Sequence, residues 1–235
     1  MIVLTGYGRS GTSVLARIYT ELGCDLGGGW NDEIDAGLEH EDVWRLNDEI
    51  ATRLGMAIPG SFHRTPARRR ATRVLRVARL LRTEERLFLL PPIRGFTHVA
   101  RSEVQAVASD LGGDMRALAA HLDVVKDPRL LWTIGVWLEA GADIAAAVVC
   151  VRDIDAVVDS RKRANRLRWS SSHIQRSIEH GLRLFVESSA AHGVPFTVVR
   201  YPDFLDDPVR LHQQLALPHP VTEEAVRAAV EAVRR

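Results

Sequence analysis

The chain has 235 residues, 46% of them apolar, which suffices for a substantial buried core and one globular unit. Its 31 basic residues nearly balance its 30 acidic ones, so no global field directs it to nucleic acid or to a membrane surface. No window approaches the roughly 20 apolar residues of a membrane span and no basic leader precedes one, which points to a cytoplasmic protein or domain.

In chain order, the first apolar run, residues 2–5, reads as a buried strand and leads into the glycine-rich stretch GYGRSGTS and then a helix at 14–22. An amphipathic helix follows within 64–86, and further apolar, β-branched runs at 122–125, 145–151 and 196–199 read as strands. Asp127-Pro128 and Asp207-Pro208 resemble a capping acid followed by proline at the first helical position, and Thr222 with Glu223 and Glu224 opens a last helix at 225–235. Apolar strands alternating with helices imply a mainly parallel sheet of four or five strands covered on both faces, in which ligands bind at the strands' carboxyl ends. The expected architecture is a single three-layer α/β domain, residues 1–235, with a helical cap inserted at about 55–120. Cys24 and Cys150 lie far apart and lack the paired spacing of a zinc or redox site, so both read as buried thiols.

A strand, a glycine-rich turn and a helix aim backbone N–H groups and the positive helix end at one point, which makes residues 6–13 an anion site. Ser10, Thr12 and Ser13 add hydroxyl donors, Gly11 admits close approach and Arg9 adds a full charge. Gly6, Gly8 and Gly11 also spell a dinucleotide-binding fingerprint, but the ribose-binding acid would have to be Asp25, on a strand of two or three residues before Gly27-Gly28-Gly29. A Mg·ATP loop would need lysine where Thr12 stands; for that chemistry Arg9 would substitute and Asp127 or Asp153 would hold the metal. A glycine turn with no ligand is the remaining alternative.

Strand, GRSGTS and helix together resemble the 5′-phosphosulfate loop of sulfotransferases that use 3′-phosphoadenosine-5′-phosphosulfate (PAPS), a variant of the P-loop kinase fold. VVCVRDIDAVVDSRKR resembles that family's segment gripping the 3′-phosphate, with Arg152 and Ser160 in the gripping places. VVKDPRLLW and VVRYPDFLDDP resemble its central strand exit and its late strand, so the matches run in order from Met1 to about Pro208. The resemblance implies PAPS as sulfonate donor, no metal, and a small-molecule or glycan acceptor. It also implies Arg9, Ser10, Gly11, Thr12, Ser13, Arg152 and Ser160 as the nucleotide site, with Arg9 and Lys126 on the leaving side. The family's late glycine-rich nucleotide clamp has no counterpart here.

In the cytosolic branch of that family the strand exit reads Lys-Thr-His and the histidine is the base; here it reads Lys126-Asp127-Pro128. Other branches take a glutamate, and Gly37-Leu38-Glu39 with Leu46-Asn47-Asp48 resembles their stretch, which makes Glu39 the expected general base. Glu41, Asp42 and His40 are neighbouring alternatives. His63 and His98 fall in possible lid regions, and none of the nine histidines has metal-site spacing.

The segment 64–86 carries nine arginines, with Arg69, Arg73, Arg76, Arg79 and Arg82 on one helical face and Val74, Val77, Ala78 and Leu81 on another. Such a face is either solvated or suited to an acidic acceptor, a carrier protein or anionic lipid headgroups. Trp30, Trp44, Trp132, Trp137 and Trp169 could supply a stacking wall, although tryptophan is first a core residue. The expected activity is sulfonate transfer; phosphoryl transfer from Mg·ATP and nucleotide binding without turnover are the alternatives.

Overall fold

The computed structural model describes residues 1–31, 36–56, 99–165 and 171–234. In chain order these form β1 (Ile2–Gly6), α1 (Thr12–Glu21), the short strands β2 (Trp30–Asn31) and β3 (Ala36–Gly37), and α2 (Glu41–Arg53). Then come α3 (Arg101–His121), β4 (Val124–Lys126), α4 (Leu130–Glu139), β5 (Ala146–Arg152), α5 (Ile154–Asn165) and α6 (Ser171–Ala191). The last elements are β6 (Phe196–Tyr201), α7 (Asp203–Asp206), α8 (Pro208–Gln214) and α9 (Glu223–Arg234).

The four expected apolar runs are the four strands of one parallel sheet, in the order β4, β1, β5, β6. Their side chains alternate faces with the period of two that a strand imposes. Ile2 and Leu4 of β1 and Val148 and Cys150 of β5 pack with α1 and α9, whereas Val3, Ala147 and Val149 pack with α2, α3, α4 and α6. The result is an α/β fold with helices on both faces of an all-parallel sheet.

Helix α4 is apolar on nearly every side, LLWTIGVWLE, and is buried accordingly, with Leu130, Leu131, Ile134 and Trp137 fully enclosed. Burying each such side chain contributes roughly 1.5–3 kcal/mol. Trp132 and Trp137 therefore serve the core. Of the stretch expected as a cap at 55–120, residues 101–121 form α3, whose Val107, Ala108, Met115 and Ala119 join the same core. The arginine-rich helix expected within 64–86, with His63, His98 and Trp169, lies outside the described residues.

The three expected capping side chains all accept from a backbone amide at a helix start. The Asp207 side chain accepts from the Arg210 amide at 3.0 Å with Pro208 at the first position of α8, and Thr222 Oγ1 accepts from the Ala225 amide at 3.3 Å ahead of α9. Asp127 does more than cap: its Oδ1 accepts from the Arg129 amide at 2.8 Å, and its carboxylate is also fully buried and engaged in an ion pair. Arg129 Nε lies 2.8 Å from Oδ1 and 3.1 Å from Oδ2, and α4 starts after Arg129. Asn47 of α2 completes the arrangement. Its Nδ2 donates to Asp127 Oδ2 at 2.9 Å, while its Oδ1 accepts from Thr133 Oγ1 at 2.7 Å and Trp137 Nε1 at 2.9 Å.

Removing a member of a buried, satisfied network strands its partners without water. Asn47→Ala is expected to cost about 3 kcal/mol, read as a lower midpoint in urea at unchanged slope.

Candidate functional site

The switch in strand order falls between β1 and β5, whose following connections leave toward opposite faces of the sheet, and this is where open α/β sheets form a ligand crevice. The expected site residues gather there. Gly8, Arg9, Gly11, Thr12, Ser13, Glu39, Lys126, Arg152 and Ser160 all line one cleft of about 210 Å³, together with Val14, Pro128 and Tyr201.

The loop after β1 has a geometry that suits a close anion. Gly11 sits in the left-handed region at φ 97°, and a Cβ there would lie 2.5 Å from the Tyr201 ring, so only glycine fits. Helix α1 has no acid in its first turn and no side-chain cap, and its first intrahelical bond runs from the Leu15 amide to Gly11. The amides of Thr12, Ser13 and Val14 thus precede any intrahelical acceptor, at the positive end of the helix dipole. Arg9 also adopts a positive φ, 77°, which turns its side chain away from the loop toward α5.

Arg9 Nε donates to Ser160 Oγ at 3.0 Å, and an Arg152 guanidinium N–H donates to the Arg9 carbonyl at 3.4 Å. The loop and the β5–α5 segment, joined by contacts 143 and 151 residues apart in sequence, form one cationic wall. Arg9, expected on the leaving side, is therefore directed to the residue expected to hold the other phosphate. Arg152 stacks on the Tyr201 ring at 4.9 Å, as their register across β5 and β6 requires, and its Nε is buried with no hydrogen-bond partner among the described residues. A buried N–H donor of a cation is a demand for an acceptor.

Lys126 and Glu39 meet. The lysine is 1% exposed, and its Nζ donates to Glu39 Oε1 at 2.6 Å, to the Gly37 carbonyl at 2.9 Å and to Ser13 Oγ at 3.2 Å. Glu39 keeps 27% of its side chain exposed, on the cleft side. It lies where the chain passes over the sheet's rim, since Leu38 packs with α1 and Val43 with the helices of the opposite face.

Several candidates are committed elsewhere. The Ser10 side chain is 1% exposed and lines an apolar pocket beneath the loop with Tyr7, Leu131, Cys150 and Ile178, and its backbone N–H donates to the Tyr7 carbonyl at 3.0 Å, so Ser10 does not line the cleft. His40 caps α2, its Nδ1 accepting from the Asp42 amide at 3.3 Å, and Asp42 pairs with Arg45 at 2.8 Å. Asp25 accepts from the Gly27 amide at 2.8 Å in a turn, and residues 24–29 form no strand of the sheet, which removes the dinucleotide fingerprint's ribose acid. Asp153 caps α5 through the Asp155 and Ala156 amides. Both cysteines are buried, and burial pushes the Cys150 thiol up to about 12 despite the Ser10 hydroxyl and the Arg152 charge, which act to lower it.

Two residues of the site were not anticipated. Tyr201 offers a ring face at the cleft, signalled only by an aromatic at the end of a strand. Arg161, next to Ser160, is buried over the Tyr7 ring at 5.4 Å, with one guanidinium nitrogen 3.7 Å from the Cβ position of Gly8.

Among the described residues, no cluster of His, Cys, Asp or Glu suits a metal ion, and no helix is long and apolar enough to cross a membrane. The chain matches no family model, no curated protein and no solved structure.

A charged hydrogen bond contributes about 1.5–3 kcal/mol, so Arg152→Ala is expected to weaken pyrophosphate binding by roughly tenfold or more in calorimetry. Raising the salt concentration should narrow the difference between the variant and the parent.

Proposed function

We propose that the protein is a sulfotransferase that uses PAPS and takes its proton-accepting group from Glu39. The observation that carries this reading is the pairing, in one cleft, of a cationic anion cradle with the one carboxylate that lines it among the described residues, which is partly exposed. The cradle is Arg9, Arg152, Ser160 and the amides at the start of α1, and the carboxylate is Glu39.

The residues present fit the donor nucleotide. Arg152, with its buried Nε, and Ser160 with Arg9 suit the 3′-phosphate, the α1 amides and Ser13 suit the 5′ end, and the Tyr201 ring suits a base or ribose. When bound, the donor supplies a sulfonate whose S–O bond to the 5′-phosphate breaks as the acceptor oxygen or nitrogen attacks, the bisphosphate keeping the electron pair.

Glu39 takes the proton that the acceptor hydroxyl or amine loses. The amides of Thr12, Ser13 and Val14 face the side where negative charge grows, and fixed dipoles there need no reorganisation. Lys126 holds Glu39 and Ser13 together, so the proton acceptor and the anion loop share one anchor. The acceptor is a small molecule or glycan, and the arginine-rich segment 64–86 would favour one that is acidic or held on an acidic carrier.

Phosphoryl transfer from Mg·ATP fits less well. Asp127 is fully buried against Arg129 and Asn47, and Asp153 caps a helix, so neither strand-end acid is available to a metal. A non-catalytic nucleotide-binding module has no use for a carboxylate at the mouth of its anion site.

Thermal shift with adenosine 3′,5′-bisphosphate, and with ATP with and without Mg²⁺, separates the readings. A ligand at a hundred times its Kd adds about 2.7 kcal/mol of stability. The bisphosphate is expected to stabilise the protein, and stabilisation by Mg·ATP alone would sink the proposal. With labelled donor, Glu39→Gln should retain bisphosphate affinity and lose transfer to acceptors accepted by the parent protein.

A further inference from the structure

The stretch Gly27-Gly28-Gly29 plays no part in holding an anion, yet it lies directly behind Glu39. A Cβ at Gly28 would stand 2.4 Å from the Glu39 carbonyl oxygen, 2.6 Å from its carbonyl carbon and 2.7 Å from that of Leu38. Backbone cannot give way at such distances as a flexible side chain does, so the Glu39 main chain can rest there only against a glycine. The Leu38 amide donates to the Gly29 carbonyl at 2.8 Å, and Leu38 itself is turned to φ 66°, which a non-glycine residue adopts only under constraint from its surroundings.

From the end of β4, Lys126 Nζ reaches the Gly37 carbonyl and the Glu39 carboxylate. Backbone and side chain of Glu39 are thereby fixed from two directions.

We infer that Gly28 and Lys126 are positioning residues for Glu39: a two-sided clamp that sets where the carboxylate stands relative to the anion loop. The inference deepens the proposed function and, for its effect on turnover, rests on that reading. The clamp itself is a geometric statement and can be read without any reaction. A misplacement of about 1 Å between reacting groups can cost on the order of a hundredfold in rate, so the clamp acts on kcat while nucleotide binding at Arg152 and Ser160 stays intact.

Gly29 supplies the matched control. A Cβ there meets nothing within 4 Å, and the carbonyl that accepts from Leu38 survives the change. Gly28→Ala, Gly29→Ala and Lys126→Met are compared by two readouts. The first is the rate at which a water-soluble carbodiimide with a nucleophilic amine labels Glu39, quantified by peptide mass spectrometry. The second is turnover with PAPS and an acceptor.

Labelling of Glu39 is expected to rise severalfold in Gly28→Ala and Lys126→Met and to stay at the parent level in Gly29→Ala. In Gly28→Ala, kcat should fall at least tenfold with KM for the donor unchanged. Should Gly28→Ala not fold, Lys126→Met carries the same readouts from the other side of the clamp. Unchanged labelling in the folded variants, or an equal rise in Gly29→Ala, overturns the clamp whatever the turnover. Changed labelling in a protein whose parent form transfers no sulfonate leaves the clamp standing and removes the sulfotransferase reading instead.

Discussion

The site depends on one buried ammonium group. Lys126 leaves the end of a core strand almost wholly out of water, a placement whose desolvation cost is large unless every donor is satisfied. Its Nζ finds three acceptors on two segments: Ser13 at the head of α1, and Gly37 and Glu39 at the end of β3 and just beyond it. The lysine makes the anion loop and the carboxylate parts of one object.

A second polar cluster, one residue further along, supports the first. Asp127, Arg129 and Asn47 hold α2 and the start of α4 against the tip of β4, with Trp44 lying under the Arg129 guanidinium at 4.9 Å. The strand end therefore carries two adjacent charges with different duties. Lys126 faces the cleft, while Asp127 faces the core and fixes the helix that begins just after Glu39.

The strands were legible because a strand buried on both faces must be a continuous apolar run, and all four appear where such runs occur. The anion loop was legible for a similar reason: glycines, hydroxyls and a strand–turn–helix pattern are local. What escaped sequence reading was long-range. Nothing local to Ser10 says that its side chain turns under the loop, nor that Arg9 reaches Ser160. Asp127 before proline looks like a helix cap and is one, but nothing local shows that its carboxylate is also buried against the Arg129 guanidinium and Asn47. Gly27-Gly28-Gly29 reads as loop punctuation until the backbone that presses on it is known. Which residues meet in the cleft could be anticipated only through resemblance, because charge and spacing alone left several anions open.

Glu39 lies where the chain steps over the edge of the sheet, with its preceding residue anchored in one hydrophobic cluster and the next helix anchored in the other. The anion loop leads into α1, which belongs to the first cluster alone. The separation between carboxylate and anion is thus a dimension of the whole sandwich, as the gap of a caliper is set by its frame. Volume changes deep in either layer, at positions such as Met115 or Leu15, act as adjustments of that gap. Drift in the core would then register as a change in the spacing of the site long before it registers as a loss of fold.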